Sequence, residues 1–333
     1  MVSTEEKIVE LKKLLETLWQ PMYANLGLLA VRITTDMFNG SGAILCVDAP
    51  SSRMFVLTAK HNLWIAAAGP GLVKEKDRKP EALEEKEDAI RNWFTENAVI
   101  RYMSLVEDEE EEKTGKSWAK KKSKEVEEKK PKLAEAVAES FEIHFPDKTG
   151  FTYDACCFVV KYNPKKPPAA QAFPYFEASV WLKPLLKLTS AIHEGSFKPK
   201  NQGFVQVGFG NEAQIAPKSK QAPKSGALQM KISSLEEGSS ATSYYNAATG
   251  GSDAVLLLES TEHWTTLPGD SGGPLFLVQS GKGIPLQVGV TLGSDYFFTQ
   301  EEDEAAEEDP DGKHNNAVTS LGPLYAWFAD AEF

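Results

Sequence analysis

Cysteine is scarce in this sequence. There are three, Cys46, Cys156 and Cys157, in 333 residues. An odd count with one adjacent pair makes a poor disulfide framework. Reduced, buried thiols are the expectation. Long apolar runs are missing too. The opening MVSTEEKIVELKK has no apolar stretch of signal-peptide length, and nothing approaches the roughly 20 apolar residues of a membrane helix. These absences predict a cytoplasmic chain with no membrane partner. Basic charge is also short. Lysine and arginine number 36 against 48 acidic residues, a net charge of -12. No basic face is evident, which argues against nucleic acid as a partner. Eight acidic side chains lie in one run, Glu301, Glu302, Asp303, Glu304, Glu307, Glu308, Asp309 and Asp311. Such a run reads as a solvated loop.

What is present suits a strand-rich globular protein. Hydrophobic residues make up 41% of the chain, enough at this length for a large buried core. Glycine (24) and proline (19) punctuate it throughout and predict many turns. Eight aliphatic or β-branched runs read as strands: 28–33, 42–47, 54–58, 155–160, 204–209, 253–259, 274–278 and 285–292. Asn-Gly-Ser-Gly (39–42) and Ala-Pro-Ser-Ser (49–52) read as the turns between the first three. This pattern fits an all-β barrel or sandwich.

Three segments break the rhythm. Residues 4–19 carry Ile8, Leu11, Leu14, Leu15 and Leu18 at helical spacing, with Ser3 and Glu6 placed as a capping box and Pro21 just beyond. A packing helix over residues 1–26 is expected. Half of residues 71–140 are charged. Within them 81–94 and 116–139 read as helices, and the segment reads as a solvated insertion projecting from a β domain. We expect it to be a docking element for a regulatory protein or an idle insertion. The last segment, LGPLYAWFADAEF, places Leu321, Leu324, Tyr325 and Phe328 on one helical face.

The strongest chemical signal is Gly269-Asp270-Ser271-Gly272-Gly273-Pro274-Leu275. A serine flanked by glycines has an exposed hydroxyl and nearby N–H groups free to meet an oxyanion. The plain alternative is a glycine-rich turn with an incidental serine. A serine nucleophile needs a base and a group to orient that base. Of five histidines, only His61 directly follows a hydrophobic strand, in Val56-Leu57-Thr58-Ala59-Lys60-His61. His144, His193, His263 and His314 sit in turns or polar contexts. Asp154 precedes the apolar strand ACCFVV, where a carboxylate can be desolvated and aimed.

These residues resemble the trypsin family of serine proteases. Thr58-Ala59-Lys60-His61 resembles the family's T-A-A-H motif. Tyr153-Asp154-Ala155 is similar to its Asp-Ile-Ala element, and GDSGGPL is identical to its nucleophile motif. The order His, Asp, Ser is also the family's. The separations are 93 and 117 residues; the first is long, and the 71–140 insertion explains the excess. Val207-Gly208-Phe209-Gly210 resembles a Gly-Trp-Gly turn, Thr291-Leu292-Gly293 a Ser-Trp-Gly strand, and the final segment the family's C-terminal helix.

The resemblance implies an all-β fold of two antiparallel six-stranded barrels, with a protease domain over residues 27–333. The first barrel would cover about 27–165 and the second about 200–333. It implies an endopeptidase acting on protein or peptide substrates, with no cofactor and no metal. Ser271 would be the nucleophile, His61 the base and Asp154 its orienting acid. The N–H groups of Gly269 and Ser271 would form the oxyanion hole. Thr265 and Thr266 would line a neutral pocket floor, where Arg/Lys-specific members carry Asp. Thr291, Leu292 and Gly293 would meet the substrate, with Thr291 also bonded to Asp154. Lys60, Asn62 and Leu267 depart from the family's alanine and cysteines, and no Ile-Val-Gly-Gly activation site precedes the first strand, which leaves Asp270 needing another partner. The alternatives are a catalytically inactive binding module with this fold and an esterase-like acyl hydrolase.

Overall fold

The computed structural model describes residues 26–72, 85–106, 132–146, 154–172, 202–210, 229–235, 242–246, 251–259, 266–267, 269–279, 286–294 and 315–320. Residues 1–25 of the expected N-terminal helix, the expected helix over 321–333 and the acidic run lie outside these residues.

The chain folds mostly as antiparallel strands. The first sheet holds seven: β1 (Ala30–Thr34), β2 (Asn39–Asp48), β3 (Arg53–Thr58), β4 (Val99–Val106), β5 (Lys132–Val137), β6 (Ser140–His144) and β7 (Cys156–Lys161). Their spatial order is β5-β4-β1-β2-β3-β7-β6. The second holds β8 (Gln202–Gly208), β9 (Gln229–Leu235), β10 (Thr242–Asn246), β11 (Gly251–Glu259), β12 (Pro274–Gln279), β13 (Leu286–Ser294) and β14 (Asn315–Ser320). Its order is β10-β11-β14-β13-β12-β8-β9, and β9 also pairs with β11. That extra pairing curls six strands of the second sheet back on themselves and leaves β10 outside the ring. Among the described residues the first sheet has no such closing pair. Two equal six-stranded barrels are therefore not what is seen.

All eight strands read from the sequence are present, within a few residues. Asn39-Gly40-Ser41-Gly42 is not a turn. It is the first half of β2, with Gly40 opposite Ile33 and Gly42 opposite Val31. Glycine suits that approach, since a Cβ on Gly42 would stand 2.7 Å from Val56 and 2.8 Å from Val31.

The charged segment 71–140 is also corrected. It does not simply project from the domain as solvated helices. Helix α2 (Glu87–Asn97) fully buries Ile90 and Phe94. Each such burial is worth about 1.5–3 kcal/mol. Phe94 meets Phe158 of β7 at 5.8 Å and Phe141 of β6 at 6.3 Å between ring centroids. Strand β4 then pairs with β1, and β5 pairs with β4. Residues 132–137, expected as helix, are strand. Their Ala, Glu and Lys favour helix locally, but six residue pairs to β4 override that weak preference. Residues 73–84 and 107–131 lie outside the described part.

The core runs without a break from the first sheet into the second. Val205, Val207 and Phe276 join the cluster built around Ile33, Ile44, Val56 and Phe158. Among the described residues no helix is long and apolar enough to cross a membrane.

Candidate active site

His61 is the first residue of helix α1 (His61–Ala68), three residues beyond the end of β3. A helix start leaves backbone N–H groups without intrahelical partners. Here the preceding residue, Lys60, offers no side-chain cap. Asp154 does the work instead. Its Oδ1 accepts the His61 backbone N–H at 2.7 Å, and its Oδ2 meets His61 Nδ1 at 2.5 Å. One carboxylate thus holds both the backbone and the ring of one residue. A negative group at a helix N-terminus is also favoured by the helix dipole. A carboxylate accepts, so Nδ1–H donates, and the neutral ring then carries its lone pair on Nε2. Both residues are buried, and Asp154 is fully so.

Lys60, a departure from the family pattern, has an anchorage of its own. Its ammonium lies 3.4 Å from Glu87 of α2, 4.6 Å from the Phe145 ring centroid and 5.4 Å from that of Trp64. Arg91 of α2 approaches the same Phe145 ring at 5.0 Å and Glu87 at 3.1 Å. The residue next to His61 is therefore tied to a helix of the charged segment.

Ser271 sits on the turn before β12, and it is fastened mainly through its backbone. Its carbonyl accepts the Ser41 N–H at 3.0 Å and the Asn62 side-chain amide at 2.9 Å. The next residues are stitched to β13: Gly272 N–H donates to Thr291 O at 2.7 Å, and Thr291 N–H to Gly273 O at 2.9 Å. Gly269 and Gly272 have φ of +102° and +88°, left-handed values that favour glycine. A Cβ on Gly272 would stand 2.1 Å from Ser41 O and 2.2 Å from Thr58 Oγ1.

Asp270 finds partners within the turn's own surroundings. Gly210 N–H donates to its Oδ1 at 2.7 Å and Leu267 N–H to its Oδ2 at 2.9 Å. The close fit explains Val207-Gly208-Phe209-Gly210, since a Cβ on Gly208 would stand 2.3 Å from Asp270 Oδ1.

The Ser271 hydroxyl donates to Leu292 O at 2.8 Å. Among the described residues it makes no hydrogen bond to His61. The register of β13 against β14 shifts between Thr291 and Gly293, so Leu292 occupies an irregularity, and its carbonyl is the one that meets Ser271. The expected bond from Thr291 to Asp154 is not formed. Among the described residues the buried Thr291 Oγ1 has no hydrogen-bond partner, and the bonds Thr291 makes there are those of its backbone. Thr266 is buried, Leu292 is buried, and Gly293 is in β13. Thr265 lies outside the described residues. Neither the Gly269 nor the Ser271 N–H donates to another described residue.

Sequence reading missed Asn39, Ser41 and Thr58, and noted Asn62 only as a lost cysteine. All four are buried. Ser41 Oγ donates to Gly269 O at 2.6 Å and accepts from Phe209 N–H at 2.9 Å. Asn39 Nδ2 donates to Phe209 O at 2.9 Å. Thr58 Oγ1 donates to Ser41 O at 2.7 Å and accepts from Asn62 Nδ2 at 2.9 Å. No local pattern marks them: Asn39 and Ser41 sit among glycines, and Asn62 lies in helix α1.

The thiols are no rival nucleophiles. All three are free. Burial pushes Cys46 up to about 12 and raises Cys156 and Cys157 well above the ordinary thiol value, so they stay neutral thiols at ordinary pH. Among the described residues no three His, Cys, Asp or Glu side chains gather to hold a metal.

No protein-family model matches the chain, and no curated protein matches it. Among solved structures it is similar to an inactive mutant form of Rv3671c from M. tuberculosis H37Rv. The alignment covers 93% of this chain and 89% of that one, at 15% identity and a TM-score of 0.38. At that level the likeness says nothing of activity.

Proposed function

We propose that the chain is a serine endopeptidase that forms an acyl-enzyme on Ser271. The observation that carries this reading is the double grip of Asp154 on His61, set beside a GDSGGPL turn whose serine carbonyl accepts from Asn62, the residue that follows His61. In this reading Ser271 Oγ attacks the scissile carbonyl and its proton passes to His61 Nε2. Asp154 keeps the ring in the right tautomer and stabilises the imidazolium. The oxyanion is met by the Gly269 and Ser271 N–H groups. The C–N bond breaks as His61 returns the proton to the leaving amine. Water then repeats the sequence on the ester and releases the acid. Thr265 and Thr266 make a neutral pocket floor, so the preferred side chain is small or medium and uncharged. Residues 291–293 pair with the substrate backbone. Substrate must first draw the Ser271 hydroxyl away from Leu292 O.

That same hydrogen bond favours a second reading, a binding module whose serine is permanently occupied. A fluorophosphonate probe separates the two. Labelling of the native chain that disappears in Ser271→Ala supports the protease. Equal signal from both proteins removes Ser271 as nucleophile. Peptide-bond cleavage, assayed beside ester hydrolysis, separates an endopeptidase from an esterase. A peptide library cleaved only after Arg or Lys would refute the neutral pocket.

A further inference from the structure

The nucleophile turn belongs to the second sheet, yet much of what holds it comes from the first. Two carbonyls bracket Asp270 and Ser271 in this turn. The Gly269 carbonyl accepts the Ser41 hydroxyl at 2.6 Å. The Ser271 carbonyl accepts the Ser41 N–H at 3.0 Å and the Asn62 amide at 2.9 Å. Ser41 thus holds both, one through its side chain and one through its backbone. Asn62 adds a second donor to the Ser271 carbonyl while its other bond, to Thr58 Oγ1 at 2.9 Å, fixes its own amide. Asn62 is also adjacent to His61 in helix α1.

Each of these groups is nearly or fully buried. A buried polar side chain in a strand or helix is costly unless its hydrogen bonds are made. A purely apolar joint would pack the two sheets without that cost. The polar residues instead direct donors at the peptide groups whose orientation sets where Ser271 Oγ and its neighbouring N–H groups stand. Peptide orientation matters there because a misplacement of about 1 Å can cost on the order of 10²-fold in rate.

We infer that Ser41 and Asn62 are positioning residues: they hold the Gly269–Ser271 turn in register with His61 across the boundary between the sheets. The inference rests on the protease reading and names the part of the first sheet that makes the second sheet's serine usable. Asn62 stands where the family carries a cysteine, so a hydrogen-bonded amide fills that place in a chain with free thiols.

The test uses the full chain and a small active ester. Wild type, Ser41→Ala, Ser41→Thr, Asn62→Ala, the Ser41→Ala/Asn62→Ala double variant and Ser271→Ala are compared for kcat, KM and thermal midpoint. The expected result is a kcat lower by roughly 10–100-fold in Ser41→Ala and Asn62→Ala, with KM within about 3-fold. The double variant should lose less than the product of the two single losses, because both act on one turn. Ser41→Thr, which keeps the hydroxyl, should recover most of the turnover. If Ser41→Ala does not fold, Asn62→Ala alone decides. Unchanged kcat in a folded Asn62→Ala or Ser41→Ala overturns the inference, even where the thermal midpoint falls. So does a Ser41→Thr that folds yet is as slow as Ser41→Ala. A wild type no faster than Ser271→Ala overturns the protease reading itself, and this inference with it.

Discussion

The two halves of the site are held by different kinds of bond. In the first sheet, His61 and Asp154 are fixed by side chains: a carboxylate on a ring, a lysine on two aromatic rings, and a helix wedged over Phe141 and Phe158. In the second, it is the peptide groups around Ser271 that are held. The Gly269 and Ser271 carbonyls accept from Ser41 and Asn62, and Gly272 and Gly273 bond the Thr291 backbone. The Asp270 carboxylate takes the Gly210 and Leu267 N–H groups, and glycines leave room for these close approaches. Side-chain fixation is sensitive to chemistry at one atom. Backbone fixation is sensitive to the space a Cβ would take. The two halves should therefore fail in different ways when altered.

The largest effect is expected from Asp154→Asn. It keeps shape but favours the wrong tautomer, and turnover should fall by on the order of 10⁴ with the fold intact by circular dichroism. Full turnover would mean that another acid orients His61. Gly272→Ala should act on stability as well as rate. Left-handed strain and the clash with Ser41 and Thr58 together should cost about 2–6 kcal/mol in a denaturant titration. Gly71 is the control. Its φ is +80° but nothing lies within 4 Å, so Gly71→Ala should cost only about 1–2 kcal/mol. Equal losses at the two glycines would erase the contrast between space and conformation.

Phe94→Ala should destabilise by about 3–5 kcal/mol, because helix α2 is part of the first sheet's core. A loss under about 1 kcal/mol would restore the view of the charged segment as an appendage. Glu87→Gln should matter least among these changes. Its pairs with Lys60 and Arg91 are partly solvated, so the loss should stay within about 1 kcal/mol.

Raising the pH probes the thiols of the first sheet. The folded Cys46 thiol is raised to about 12 from an ordinary value of 9.0. Between those values the unfolded chain releases a proton that the folded chain keeps. Stability is fully present below pH 9.0 and should be lost as pH climbs toward 12. Thermal midpoints that stay flat from pH 8 to 11 would contradict this burial.

Legibility in the sequence followed the range of the interaction. Strands β3, β7 and β12, and β2 from Ala43 on, were readable because their own residues are aliphatic and β-branched. Distinctive local motifs single out His61, Asp154 and Ser271; the structure brings His61 and Asp154 together, while the Ser271 hydroxyl bonds Leu292 O. Strands β4 and β5 were not. They lie in a charged stretch, and the helix formers in β5 follow their partners rather than their own preference. The polar residues of the joint left no local pattern either. Ser41 meets Gly269 across 228 residues, and Asn62 meets Ser271 across 209. The bond of Ser271 to Leu292 rests on a strand irregularity that no periodicity announces.

That joint also has a meaning for how the chain is made. Contacts closing loops of more than 200 residues carry the largest chain-entropy cost and form late. During synthesis the first sheet, with His61 and Asp154, emerges long before Ser271 exists. A growing chain can complete that half and still lack Ser271. On the protease reading, catalytic competence arrives only when the last strands have emerged and the two sheets have met, so an unfinished chain cannot itself cleave.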